Sequence, residues 1–199
     1  MPNHCSNVIS IALDKDHPEA REFFDKMVTA VREGRFYNLI IPMPECLEGV
    51  MAGSYGSGTE EQTALEARYE QNRKECGYAN WYDFCVAEWG TKWDVYDQDI
   101  VDIDEDDLSI VFTCNSAWSP PEGVFDVLSE MSVIETFRCS YFESGMGFVG
   151  YSLNGIDNCF YIDNFTVDWI VDNIPADLCE DFGLYEYAAE CEAFNEEYA

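Results

Sequence analysis

Carboxylate side chains dominate the stretch from Trp89 to Asp107, WGTKWDVYDQDIVDIDEDD. Carboxylates at high density can bind a divalent cation, serve as the acid and base of a hydrolase, or present negative charge to a basic partner. These three chemistries make different demands on spacing. The acids in this stretch are Asp94, Asp97, Asp99, Asp102, Asp104, Glu105, Asp106 and Asp107.

Calcium is the cation that such oxygen clusters suit best. Asp102, Asp104 and Asp106 fall at positions 1, 3 and 5 of a calcium-binding loop that starts at Asp102. Position 6 is then Asp107 where the loop needs glycine, and position 12 is Thr113 where it needs glutamate. The pattern therefore predicts at most weak divalent binding by the run and no dedicated metal site.

Other catalytic motifs are weaker still. Acids are so abundant that no hydrolytic pair can be singled out. Cys5 lies beside His4, but adjacent residues of a strand point to opposite faces. The glycine-rich segment GSYGSG at 53–58 lacks the Lys-Ser/Thr of a phosphate-binding loop and is typical of a surface loop. We therefore predict no enzymatic activity and no cofactor.

The nine cysteines are an odd number and include no Cys-x-x-Cys pair. Paired ligands at short spacing are what a closed zinc site requires. The pattern instead favours small buried hydrophobic residues in a reducing compartment.

Net charge excludes further classes of function. At −30, the chain repels phosphate groups, so direct binding to nucleic acid or to an anionic membrane is not expected. No apolar run approaches the roughly 18 residues of a membrane-spanning helix, and the amino terminus lacks the features of a signal peptide. These observations predict a cytoplasmic protein.

The charge is also distributed unevenly. Residues 1–92 carry 9 basic and 15 acidic side chains, whereas residues 93–199 carry one basic side chain, Arg138, and 25 acidic ones. Adaptation to high salt would make the whole chain acidic. The asymmetry instead indicates one acidic face on a folded protein, because 30 aromatic residues provide for a core.

Periodicity and turn residues predict an α+β protein with its sheet packed by helices on one face. The acidic run is predicted to be a solvated loop or a sheet edge, and three antiparallel strands joined by short turns are predicted within 134–162. The other predicted strands are 7–13, 36–41 and 108–114, and the predicted helices begin near Pro18, Thr59, Trp81, Pro121, Asn164 and Ala176, the last running to Tyr198.

Three motifs carry a family resemblance: PMPE at 42–45, WGTKWD at 89–94 and AWSPP at 117–121. In these motifs the chain resembles the YubB-type ferredoxin-like proteins of bacterial plasmids and phages. The resemblance covers roughly residues 5–165, and with the order of the predicted elements it implies a ferredoxin-like antiparallel domain over 1–165 with a helical insertion at about 59–90. The acidic helical extension over 166–199 is predicted to be an addition particular to this chain. The resemblance also implies a mobile-element origin and a bacterial host, and it brings no catalytic residue with it.

The remaining use for dense carboxylate is imitation of a phosphate backbone. Duplex DNA carries one charge per about 1.7 Å of axis, so about 30 carboxylates correspond to roughly 50 Å of duplex. We therefore predict an inhibitor that mimics DNA and blocks a host nucleic-acid-binding defence protein, such as a CRISPR surveillance complex or a restriction enzyme. The predicted contact residues are the eight acids of the run together with Glu180, Glu186 and Glu190. The alternative is a non-enzymatic interaction module that binds its partner through apolar and aromatic surface, with incidental acidity.

Overall fold

Within residues 3–197, the part of the chain that the computed structural model describes, six strands form one open antiparallel sheet. The strand order is β2-β3-β1-β4-β5-β6, and each neighbouring pair is antiparallel. The predicted α+β class is thereby confirmed. The strands are β1 (His4–Leu13), β2 (Tyr96–Asp104), β3 (Ser109–Ala117), β4 (Ile134–Glu143), β5 (Phe148–Leu153) and β6 (Ile156–Tyr161).

Helices cover both faces of this sheet unevenly. The front face carries α1 (Ala20–Arg32), α2 (Phe36–Ile40) and α5 (Glu122–Glu130), and the back face of β4, β5 and β6 carries the carboxyl-terminal helices. Between α2 and β2, the chain forms α3 (Glu60–Cys76) and α4 (Trp81–Phe84), and α4 continues into a π-helical turn, Cys85–Trp89. The carboxyl-terminal helices are α6 (Val167–Asn173), α7 (Ala176–Phe182) and α8 (Leu184–Glu197).

The front face holds the larger core. Ile9, Ile11 and Leu13 of β1 are fully buried there, beside Phe112 of β3 and Phe137 of β4. Burying each such side chain stabilises the fold by about 1.5–3 kcal/mol. Strict alternation along β1 and β3 sends every second side chain to this core and leaves the others on the back face.

The predicted second strand at 36–41 is wrong, because this segment is the one-turn helix α2. Five apolar residues are too few for periodicity to separate a strand from a helix. Contacts from distant parts of the chain decide the outcome. Phe36 and Tyr37 are fully buried, and Asp94 accepts hydrogen bonds from the backbone N–H groups of Tyr37 and Asn38.

Helix α3 begins as its sequence predicts. The Thr59 side chain accepts a hydrogen bond from the Gln62 N–H. The Gln62 side chain does not complete a capping box with Thr59, because its Oε1 accepts hydrogen bonds from Ser54 and Tyr55 of the preceding loop. The insertion is thus tied to its own glycine-rich loop.

The carboxyl-terminal segment forms two helices, so the predicted single helix from Ala176 to Tyr198 is wrong. Gly183 adopts a left-handed conformation (φ +58°) that ends α7 and lets α8 start in a new direction. Tyr198 lies outside the described residues. The turn places Leu178 and Leu184 together in a second core, against Val149 on the back face of the sheet.

The predicted three-strand meander is confirmed. Asn154 and Gly155 join β5 to β6 with positive φ values of 48° and 81°, as a tight hairpin turn requires. The Asn154 side chain also accepts a hydrogen bond from the Phe137 N–H, which fixes the turn against β4.

All nine cysteines are free thiols, and five of them are buried. Within the described residues there is no cluster of side chains that could hold a metal ion. Over the same range the helices are too short or too polar to cross a bilayer.

Candidate functional site

The acidic run forms β2, an edge strand of the sheet, which agrees with one of its two predicted states. Ile100 and Ile103 point to the front core, opposite Phe112 and Ile110. The pairing register shifts between Ile100 and Asp102, where Val101 is an extra residue that is 63% exposed. A one-residue shift moves side chains to the other face of a sheet.

This bulge places carboxylates in one row on the back face. Asp99, Asp102 and Asp104 lie opposite Thr113, Val111 and Ser109 of β3. Alternate residues of a strand are about 6.6 Å apart along its axis, which is the spacing of Asp102 and Asp104, and the register shifts once more between Tyr96 and Asp99. Each of these carboxylates is exposed.

Within the described residues, the back face of the two neighbouring strands is largely uncovered, and Asp181 and Phe182 of α7 lie at its edge. Ser6, Val8 and Ser10 of β1, with Thr113 and Asn115 of β3, point to this side, and none of them is buried. The alternate residues of the same strands are buried in the front core. Half of the sheet is therefore covered on one side only, and its open side has small and polar side chains.

Helix α7 stands on the far side of this open surface. It packs on the back of β4 and β5, where Phe182 contacts Phe142 with ring centroids 5.8 Å apart. Its exposed acids include Asp177 and Asp181. Asp181 and Asp97 line the same cavity of about 270 Å³, together with Ser6, Thr113 and Asn115 of the sheet.

We call this surface the acidic trough. One wall is Asp97, Asp99, Asp102 and Asp104 of β2, the floor is Ser6, Val8, Ser10, Val111, Thr113 and Asn115, and the other wall is Asp177 and Asp181 of α7. Strands lie about 4.8 Å apart, and β3 and β1 separate β2 from β4, so the axes of β2 and β4 are about 14 Å apart.

Among the described residues, one basic side chain, Arg138, neutralises an acid of the trough. Arg138 on β4 is the single basic residue after Lys92, and its Nη2 lies 2.5 Å from Oδ2 of Asp177. The hydrogen bond from Arg138 lowers the pKa of Asp177. Among the described residues, no lysine or arginine forms an ion pair with the four β2 carboxylates or with Asp181.

The other predicted contact residues lie elsewhere. Glu105 and Asp107 lie in the turn after β2. Glu105 forms an ion pair with Arg21 of α1 at 3.1 Å, and Asp107 forms one with Lys15 at 2.6 Å. Such exposed pairs contribute little to stability because water and salt screen them, but each cancels one negative charge. Asp106 is exposed in the same turn. Glu180 is exposed on α7, and Glu186 and Glu190 are exposed on α8. Glu190 lines a separate cavity that also includes Phe165.

Asp94, predicted as a contact residue, holds the fold together instead. Its Oδ1 accepts from the N–H groups of Tyr37 (2.7 Å) and Val95 (2.8 Å), and its Oδ2 accepts from Asn38 (2.9 Å). It thereby caps α2 from a distant part of the chain. Burial raises the pKa of Asp94 to about 6, against the opposing effect of these hydrogen bonds and of Arg35.

The rest of the WGTKWD motif is structural as well. The Trp89 indole N–H donates to the Ile41 carbonyl at 3.0 Å. Thr91 is fully buried, and its hydroxyl donates to the Ala117 carbonyl and accepts from the Ala117 N–H. The motif therefore joins α2 to the end of β3.

The raised pKa of Asp94 makes stability depend on pH. A carboxyl whose pKa is higher in the folded state favours folding when protonated, so its contribution is full below about pH 4 and is lost as the pH rises through 6. The measured quantity is the free energy of unfolding of the wild type minus that of the Asp94→Asn variant. We expect this difference to fall by about 2 kcal/mol when the pH rises from 4 to 7. Urea unfolding across this range measures the difference. A carboxyl titration of Asp94 by NMR with a midpoint near 4 would contradict the prediction.

A second concave feature lies on the front side of the protein. Trp81, Trp89 and Trp93 line a cavity of about 350 Å³, with Arg35 and Asp94 among its polar groups. Trp89 is buried, whereas Trp81 and Trp93 are half-buried. Phe84 and Cys85 of the same helical segment are buried in the front core with Trp89, and Trp81 packs against that core.

Sequence reasoning did not find the floor of the trough or the role of Asp181. One signal was present, since Ser6, Val8 and Ser10 alternate with the larger Ile9 and Ile11. That alternation indicates a strand with one face outside the core. Acids of β2 and α7 face the same surface because of the strand order of the sheet. No short stretch of sequence indicates this arrangement.

Comparison of the chain with protein-family models, with characterised proteins and with solved structures finds no match. The resemblance to the YubB-type proteins accordingly stays a prediction.

Proposed function

We propose that the protein inhibits a host nucleic-acid-binding protein by occupying its basic groove in place of DNA. The observation that carries this proposal is the row of β2 carboxylates without basic partners, on one wall of an open trough. A rigid acidic surface of this kind associates rapidly with a basic groove in a salt-dependent manner. No catalytic group is required.

The dimensions of the trough support the imitation of DNA. The major groove of DNA is about 12 Å wide and is bordered by two negatively charged backbones. The trough is bordered by acids of β2 and α7, and the axes of the strands beneath them, β2 and β4, are about 14 Å apart. Its carboxylates are spaced more widely than the phosphates of one strand, which repeat every 3.4 Å of axis.

We further propose that the chain is a ferredoxin-like protein of a bacterial mobile element and acts in the cytoplasm of the host. The order β1, α1, β2, β3, α5, β4, with β2-β3-β1-β4 as neighbours, supports the fold assignment. For an inhibitor that originates from a phage or plasmid, the proposed target is a host defence complex that binds nucleic acid.

Affinity capture from a bacterial lysate tests the proposal. We expect the immobilised protein to retain a nucleic-acid-binding protein at about 0.1 M salt, to release it at about 0.5 M, and to lose it to added duplex DNA. Wild type treated with an unrelated acidic protein as competitor is the control for non-specific charge effects. Retention that is unaffected by duplex DNA would refute DNA mimicry.

The aromatic cavity favours a second candidate function, an interaction module that binds its partner through Trp81 and Trp93. Aromatic residues in concave surfaces are common anchors of protein interfaces. In that case, the captured partner persists in high salt and is lost with Trp93→Ala. Under the DNA-mimic proposal, the same variant keeps its partner.

A further inference from the structure

We propose that the acidic trough receives a single basic α-helix of the partner, lying parallel to β1 and β3. This inference rests on the proposed function and names the element of the partner that the site recognises. It depends on the open back face of the sheet, on the two acidic walls and on the small side chains of the floor.

The dimensions fit one helix. An α-helix with its side chains is about 10–12 Å in diameter, and the axes of β2 and β4, which lie beneath the two walls, are about 14 Å apart. Along the strands, the open floor runs from Ser6 to Ala12 on β1 and from Ser109 to Asn115 on β3. Seven strand residues span about 23 Å, which corresponds to about 15 residues of helix.

The floor has the chemistry for close helix packing. Ser6 and Ser10 are small, so a helix backbone can approach β1 closely. Val8, Val111 and the Thr113 methyl group offer apolar contact, and Asn115 offers a polar group. A matching helix has small or apolar residues at i, i+3, i+4 and i+7 toward the floor, and lysine or arginine on both flanks.

Charge complementarity selects a basic helix over a metal ion. Calcium requires six to eight oxygens at 2.3–2.6 Å. Asp102 and Asp104 are about 6.6 Å apart along β2, and the described residues include no cluster of side chains that could hold a metal ion. Lysine and arginine side chains are long enough to reach acids on either wall from a central helix.

A peptide pair provides the direct test. The first probe is a fluorescent 15-residue helix, stabilised by a side-chain staple, with lysine and arginine on its flanks and alanine and leucine on its central stripe. The second has the same composition with two central residues replaced by their D-forms, which prevents a helix. At about 0.1 M salt we expect the helical probe to bind at least 10-fold more tightly.

Substitution of small floor residues by tryptophan, which blocks the floor without changing the charge, tests where the probe binds. Ser10→Trp and Thr113→Trp should each weaken binding of the helical probe at least 10-fold. Gln71→Trp, on the exposed side of α3, is the matched control and should leave binding unchanged. Thermal unfolding of each variant establishes that the sheet is intact, and amide exchange should show protection of Ser6–Ser10 on probe binding.

The outcomes separate this inference from the proposed function. Equal binding of both probes, or binding that survives floor filling, overturns the helix-in-trough inference. If a lysate partner is then still released by salt and by duplex DNA, the proposed function stands with a different contact surface. If no such partner exists while the helical probe binds the trough, DNA mimicry fails and the basic-helix site remains.

Discussion

Replacing Asp97, Asp99, Asp102 and Asp104 together by asparagine is expected to weaken binding of the captured partner about 100- to 1000-fold at 0.1 M salt. These carboxylates form one wall of the acidic trough and have no basic partner among the described residues. Each charge pair that they form at an interface contributes about 1 kcal/mol, and a factor of 10 corresponds to 1.4 kcal/mol. Titration calorimetry with the captured protein measures the change, which should shrink as salt is raised.

A matched variant separates position from net charge. Glu60, Glu61, Glu66 and Glu75 are exposed on α3, and their replacement by glutamine removes the same four charges. We expect the α3 variant to lose less than about threefold in affinity, because its acids lie outside the trough. Equal loss in both variants would show that overall charge, and not the β2 wall, governs binding.

Gly123→Ala is expected to destabilise the protein by more than about 3 kcal/mol, or to prevent folding. A Cβ at this position in the first turn of α5 would lie 2.0 Å from the carbonyl oxygen of Glu88 and 2.9 Å from its carbonyl carbon. Both atoms belong to the backbone of the π-helical turn, so no side-chain rotation relieves the clash. Overpacking that forces backbone to shift costs about 1–3 kcal/mol or more.

Thermal unfolding followed by circular dichroism measures this effect. For a protein of this size, we expect the midpoint to fall by about 6–12 °C. Gly53→Ala is the control, since a Cβ at Gly53 would approach only the flexible end of the Met51 side chain, at 3.2 Å. A midpoint for Gly123→Ala within 2 °C of that control would be incompatible with the close packing of α5 on the π-helical turn.

The sequence predicts those parts of the fold in which apolar residues recur with helical spacing over a long segment, or in which a turn requires particular residue types. Helix α1 shows apolar residues at three-and-four spacing, and the Asn154-Gly155 pair defines the β5–β6 turn. Helix α2 was mispredicted because its cap, Asp94, lies more than fifty residues away. The end of α7 at Gly183 was missed because a lone glycine within a helical pattern is also tolerated inside a helix.

The candidate site was predictable in composition but not in arrangement. The acidity of the β2 run is evident from the sequence, yet only the bulge at Val101 sends Asp99, Asp102 and Asp104 to the same face. A count of charges likewise does not indicate that Asp94 accepts hydrogen bonds from backbone N–H groups of α2. Nor does it indicate that Glu105 and Asp107 form ion pairs with Arg21 and Lys15. Side-chain direction depends on register, and register depends on partners distant in sequence.

The acidic edge of the sheet also protects the protein from aggregation. An exposed edge strand offers unpaired backbone groups to any other strand, and charged side chains are a common defence against such growth. Two β2 edges that approached each other would bring four carboxylates against four more. At the opposite edge, β6 has Asp157 as its single acid and exposes Ile156 and Tyr161, each by 69%. Edge-to-edge polymerisation of sheets needs two open edges on each molecule, so the charge on β2 limits association through the β6 edge to pairs of molecules.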